Sequence, residues 1–222
     1  MDVRYFLVQR LAFIRQFHEN ASAPFVERMR KIDAKEEPFV PEYREDGEPQ
    51  FLDEYLEANE SLQVLGGVCV SMLAATLHLY FKEWVRLIGT PVDASLKPDF
   101  NKGWLNGYKA YFARHSRIRF EDGPINLAVL EELILARNRI QHPESIVMDS
   151  AYYSKDDLKK LSRPFFVDER YLTLLSDEDE GERAWLLPPT IHVSSEKLQV
   201  AITEVERFAG WLETVEIPAA SP

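Results

Sequence analysis

The sequence predicts a mostly α-helical bundle folded as a single domain over residues 1–222, and three observations carry that expectation. Apolar residues make up 45% of the chain, enough for a sizeable core and too many for wholesale disorder. In the long segments they recur near the 3.6-residue helical repeat. The stretch 61–81 carries no formal charge, as the central helix of a bundle would.

Val3, Phe6, Leu7, Leu11, Phe13, Ile14 and Phe17 place an amphipathic helix over 3–19. Ser22-Ala23-Pro24 then reads as a break and a new start, because proline is tolerated in a first helical turn. The second helix runs to about Ala34. Residues 36–49 hold three prolines, a glycine and many charges and are expected to form an exposed loop. A long helix follows from about Leu52 to Ile88. Gly66-Gly67 within it marks a weak point or a place where another helix packs closely. Gly89-Thr90-Pro91 ends it. Its uncharged stretch contains Gln63, Ser71, Thr76 and His78, and its flanks are mixed in charge. A buried core helix is therefore expected rather than a membrane span.

Residues 92–107, with Pro98, Gly103 and Gly107, read as irregular, and 104–117 as a short helix. Asp122-Gly123-Pro124 forms a turn, and Asn126 is placed to cap a helix through about Gln141, with Glu131 and Glu132 near its start. Pro143 sets the end of that helix. In 150–193 the character changes: 165–167, 171–175 and 190–193 read as short strands, and the acidic run 176–182 as a solvated turn. This is expected to be a small β-containing insertion, too short to bury a core alone. Ser194 or Ser195 caps a last helix, with Leu198, Ala201, Ile202, Val205, Phe208, Ala209 and Leu212 on one stripe.

The formal net charge of −11 works against non-specific binding to a polyanion, so any nucleic-acid contact must be a local basic face. The single cysteine, Cys69, forms no internal disulfide and fits a reducing compartment. Arg4, Arg10 and Arg15 interrupt the N-terminal apolar residues, so no secretory signal is read there and a cytoplasmic location is expected. The sequence has no CxxC, HExxH, G-x-S-x-G or Gly-rich phosphate loop. His18, His115 and His192 lack metal-ligand spacing, so neither metal nor cofactor is expected. His78 reads as a core histidine.

The stretch 133–143, Leu-Ile-Leu-Ala-Arg-Asn-Arg-Ile-Gln-His-Pro, carries the candidate chemistry. On a regular helix Asn138 and His142 share a face. Arg137 and His142 are five apart, roughly 140° around the axis. They meet at one ligand only if the helix unwinds before Pro143 or the arginine side chain wraps round. Histidine suits proton transfer near neutral pH, a guanidinium fork suits phosphoryl oxygens, and an amide holds a phosphate or orients the imidazole. Arg139 reads as a cation set against the helix C-terminal dipole.

An arginine, a polar residue directly after it and a histidine a few residues on, at the end of an apolar helix, resembles the signature of the HEPN superfamily. The helices before Arg137, Asn138 and His142 and the amphipathic helix closing the chain are similar to that family's layout. The resemblance implies a HEPN-like helical bundle. It also implies a metal-independent endoribonuclease in which the ribose 2′-hydroxyl attacks its 3′-phosphate to leave 2′,3′-cyclic ends. It further implies a homodimer bringing two motifs together, a toxin or phage-defence role, and a cognate protein inhibitor as partner. The rival implied by the same family is a non-catalytic module binding nucleotide, RNA or a protein.

Two further features bear on RNA. Lys97, Lys102, Lys109, Arg114, Arg117 and Arg119 interleave with Phe100, Trp104, Tyr108, Tyr111 and Phe112, the mix of cations and rings that single-stranded RNA requires. The competing reading makes the aromatics core and the cations a solvated face. Glu83 is the candidate to orient His142 or pair with Arg137, with a salt bridge to Arg86 as the alternative.

Overall fold

The computed structural model describes residues 2–43, 49–143, 150–161, 163–169, 171–172 and 189–215. The described helices are α1 (Val3–Ala34), α2 (Leu52–Ile88), α3 (Lys97–Asn101), α4 (Trp104–His115), α5 (Leu127–Gln141), α6 (Lys155–Leu158) and α7 (Ser195–Thr214). Single 3₁₀ turns at Ala94–Leu96 and Phe120–Asp122 join them.

The first departure from expectation is α1, one continuous helix through Pro24. A proline inside a helix strands the carbonyl four residues back. Here that residue, Asn20, is exposed, so water can satisfy it. Asp2 caps the start by accepting from the Tyr5 amide at 2.8 Å. Val3, Leu7, Leu11 and Ile14 turn inward. Arg28 reaches Glu57 at 3.1 Å, tying the end of α1 to the start of α2.

α2 has the expected bounds and is the spine of the bundle. By length and composition it is the one described helix able to cross a membrane, and 56% of its apolar window is buried within the fold. Both readings of its glycine pair were open; close packing is what the fold uses. A Cβ on Gly66 would sit 2.8 Å from the Val193 Cβ, and one on Gly67 would sit 3.3 Å from the Ile140 Cγ2. Contacts at the two ends fix direction. Gly66 lies against Val193 and Tyr80 against the Ala209 carbonyl, so α7 runs parallel to α2. The Asn126 amide donates to Glu204 of α7 at 2.8 Å while Ile140 meets Gly67, so α5 runs antiparallel to both.

Residues 92–107 are more ordered than expected: Asp93 caps a 3₁₀ turn that leads into α3. Gly107 is required because Phe100 lies over it, 2.3 Å from where a Cβ would stand. Asn126 occupies the N-cap position without its side chain capping, its own amide being held by Glu204.

The expected β-containing insertion is not what forms. Among the described residues there is no strand, only an isolated antiparallel bridge between Tyr152 and Thr190. Residues 165–167 form bends, and Tyr171 and Leu172 are helical. The reason is local. The amides of Phe165 and Phe166, which a strand would give to a neighbour, donate instead to the buried Glu132 carboxylate, each at 2.7 Å. Most of the 171–175 strand and the 176–182 turn lie outside the described residues.

Candidate functional site

α5 carries the motif and is held on two sides. Ile140 packs on Gly67 of α2. On another face, Glu132 receives the Tyr153 hydroxyl at 2.8 Å besides the two amides. There too Arg139 donates from Nε to Asp157 at 2.7 Å and from Nη2 to Ser154 at 3.0 Å. Burial alone would raise the Asp157 carboxyl; the hydrogen bonds from Arg139 and Ser154 outweigh it and hold the group below its usual range. Arg139 is thus a clamp on α6 rather than a solvated cation at a helix end.

The motif faces outward from this support. Arg137 is half-buried, while Asn138 and His142 are exposed. His142 ends the helix with φ −129° and ψ 66°, still donating its amide to the Asn138 carbonyl at 3.0 Å. The backbone therefore leaves helical geometry at the residue before the proline. Arg137 donates from Nη1 to the Asn138 Oδ1 at 2.8 Å. The arginine is tied to the Asn138 amide oxygen, and it forms no ion pair among the described residues. With Oδ1 engaged, the Asn138 NH₂ remains to donate.

Glu83 does not join this group: it pairs with Arg86. The 97–119 region is largely consumed internally. Lys102 lies 3.5 Å from Asp99, Lys109 bridges Glu121 at 2.8 Å and Glu131 at 3.2 Å, and Arg114 reaches Asp93 and Ser95. Arg117, in a left-handed conformation, and Arg119 are exposed without ion pairs among the described residues. Tyr108, Tyr111 and Phe112 are core residues, and burial pushes the Tyr108 hydroxyl up to about 12. Of the aromatics proposed to meet RNA, Phe100 and Trp104 keep partial exposure.

Trp104 leads to a group that sequence reading had left in the core. His78 of α2 stacks on its indole, centroids 4.8 Å apart and planes 9° apart, with Tyr108 edge-on at 5.8 Å. Burial, then the charges of Lys82 and Arg137, hold His78 below its usual pKa. The available signal was the i, i+4 spacing of His78 and Lys82. No metal-binding group of three or more His, Cys, Asp or Glu occurs among the described residues. Two surface cavities, one lined by Pro38, Val40 and Phe51 and one by Arg4, Arg207 and Trp211, do not include the motif residues.

The chain matches no protein-family model, no curated protein and no solved structure.

Proposed function

We propose that this protein is a metal-independent endoribonuclease of the HEPN type, acting at Arg137, Asn138 and His142. The observation that supports the reading best is the exposed His142 at an unwound helix end. It stands four residues from an asparagine whose oxygen is held by a half-buried arginine free of carboxylates. His142 takes the proton from the ribose 2′-hydroxyl as that oxygen attacks the adjacent phosphorus, and the bond to the 5′-oxygen of the next nucleotide breaks, that oxygen leaving with a proton from water. Arg137 stabilises the charge on the non-bridging oxygens, and the Asn138 NH₂ holds one of them. The products are a 2′,3′-cyclic phosphate and a free 5′-hydroxyl. A homodimer presents two such motifs to one strand, and a cognate protein inhibitor would cover them, consistent with a toxin or phage-defence effector in the cytoplasm.

One observation favours the non-catalytic reading: Lys109 and Arg114 are paired internally in a chain of net charge −11, which leaves little general affinity for a polyanion. Incubation of the protein with single-stranded RNA in EDTA separates the two. The enzyme reading expects cleavage to cyclic-phosphate ends that His142→Ala lowers by about 10²–10⁴-fold. Equal behaviour of the two proteins would leave the binding module standing.

A further inference from the structure

We propose that the surface of α2, α4 and α5 around the Trp104–His78 stack is a positioning track for single-stranded RNA. Trp104 stacked on His78 is its base platform, and Lys82 with Arg137 are its phosphate contacts. The inference rests on the ribonuclease reading of the motif and names how that site would hold its substrate.

Three independent placements converge here. The first is the Trp104–His78 stack, which spans α4 and α2 with the two planes nearly parallel. The indole is partly exposed, in a fold that buries Tyr108, Tyr111 and Phe112. An aromatic face backed by a second flat ring is rigid, and rigidity lowers the entropy lost when a base stacks on it. No described residue hydrogen-bonds the His78 ring nitrogens, so they remain to meet a base or sugar edge.

The second placement is of charge. Lys82 lies one turn beyond His78 on the same face of α2, exposed and without an ion pair among the described residues. Arg137 approaches from α5. Its neighbours Lys102, Lys109 and Arg114 are all matched by carboxylates, as are Arg86 and Arg139. Lys82 and Arg137 are the cations of α2 and α5 without an ion pair among the described residues; Lys97, Arg117 and Arg119, before α5, have none either.

The third is direction. α5 runs antiparallel to α2, and helical side chains lean toward the N-terminus of their own helix. Arg137 thus leans away from Ile140 and along α2 toward His78, in accord with the field it exerts there. Ile140 is level with Gly67, and His78 stands eleven residues further along α2, roughly 16 Å. That distance is too great for His78 and His142 to act on one phosphate. It suits a strand cut at His142 that continues past Arg137 to the indole. His78 and Lys82 are accordingly positioning residues, not catalytic ones.

The test uses a short fluorescein-labelled oligoribonucleotide, 2′-O-methylated so that it cannot be cut, and reads anisotropy in the full chain and in its His142→Ala variant. Lys82→Glu, an exposed change, is expected to weaken binding about tenfold or more and to reduce the slope of log affinity against log salt by about 0.7. Trp104→Ala is expected to weaken it about tenfold to a hundredfold. Trp104→Phe, which keeps a ring on His78, should fall between, and thermal melts of each variant report folding separately. On cleavable RNA, Lys82→Glu should raise KM more than it lowers kcat. Unchanged binding and KM in both Lys82→Glu and Trp104→Phe would overturn the track while leaving His142-dependent cleavage intact. Binding that depends on Lys82 and Trp104 with no cleavage by any variant would remove the nuclease and keep the track.

Discussion

Removing one buried carboxylate, Glu132→Ala, should loosen the whole face that supports the motif helix. Glu132 is 2% exposed and accepts from three donors: the Tyr153 hydroxyl at 2.8 Å and the Phe165 and Phe166 amides at 2.7 Å. Burial, together with the adjacent carboxylate, pushes the Tyr153 hydroxyl far above its ordinary value, so it stays a donor. Truncation strands all three, and a buried donor left unsatisfied costs about 1–3 kcal/mol. Relief of the buried charge and local relaxation offset part of that sum, leaving a loss of about 3–5 kcal/mol, the range found when a buried charge network is broken from one side. With a urea dependence of about 2 kcal/mol per molar, the unfolding midpoint falls by about 2 M. Tyr153→Phe removes one donor and leaves the amides paired, so it should lose about 1 kcal/mol, with Glu132→Gln between. Hydrogen exchange should show the Phe165 and Phe166 amides losing protection first. A Glu132→Ala protein within about 1 kcal/mol of the parent would refute the claim that this carboxylate organises the segment.

Further perturbations check other joints of the fold. Arg139→Gln should lose about 2–3 kcal/mol by leaving the Asp157 carboxylate, 3% exposed, without its cation, whereas Arg137→Gln should change stability by under about 0.5 kcal/mol. Equal melting shifts would erase the distinction between a clamp and a site residue. Gly66→Ala must displace the Val193 backbone and should lose about 1–3 kcal/mol in a thermal melt; Gly67→Ala meets only the Ile140 side chain and should come close to neutral. Acid should weaken the fold. Burial lowers the pKa of His18, His78 and His192, so below their ordinary value of 6.5 the unfolded chain binds protons that the native one does not. Urea midpoints should therefore drop between pH 7.5 and pH 5.5, and a midpoint that holds or rises would contradict it.

How much of this was legible in the sequence follows from the range over which each interaction acts. The bounds of α2, the course of α5 to Pro143 and the apolar stripe of α7 are local patterns of periodicity and punctuation, and they could be read directly. Gly66-Gly67 left a weak point and a close approach both open and gave no partners, because Val193 and Ile140 come from distant parts of the chain. Pro24 misled because the rule for proline counts a lost hydrogen bond without knowing that the stranded carbonyl faces water. The expected strands at 165–167 and 190–193 rested on β-branched and aromatic composition. A strand also needs free amides and a neighbour; Glu132 takes those of Phe165 and Phe166, and those of Ile191, His192 and Val193 go singly to Ala151, Phe166 and Gln63. In sequence that glutamate looks like any acid near a helix start, and only burial gives it another role. The site divides the same way. The unwinding at His142, the residue before Pro143, was legible, because the proline acts on its immediate neighbour. Arg137's tie to Asn138 runs through a side-chain hydrogen bond, and the His78–Trp104 stack through tertiary packing, neither of which has a spacing to read. The basic region shows the converse: a row of cations looks like a binding face until the fold supplies Asp93, Asp99, Glu121 and Glu131 to match them. Arg117 and Arg119 stay without ion pairs among the described residues as well, so what sets Lys82 and Arg137 apart is their place on α2 and α5, the helices that carry His78 and the motif.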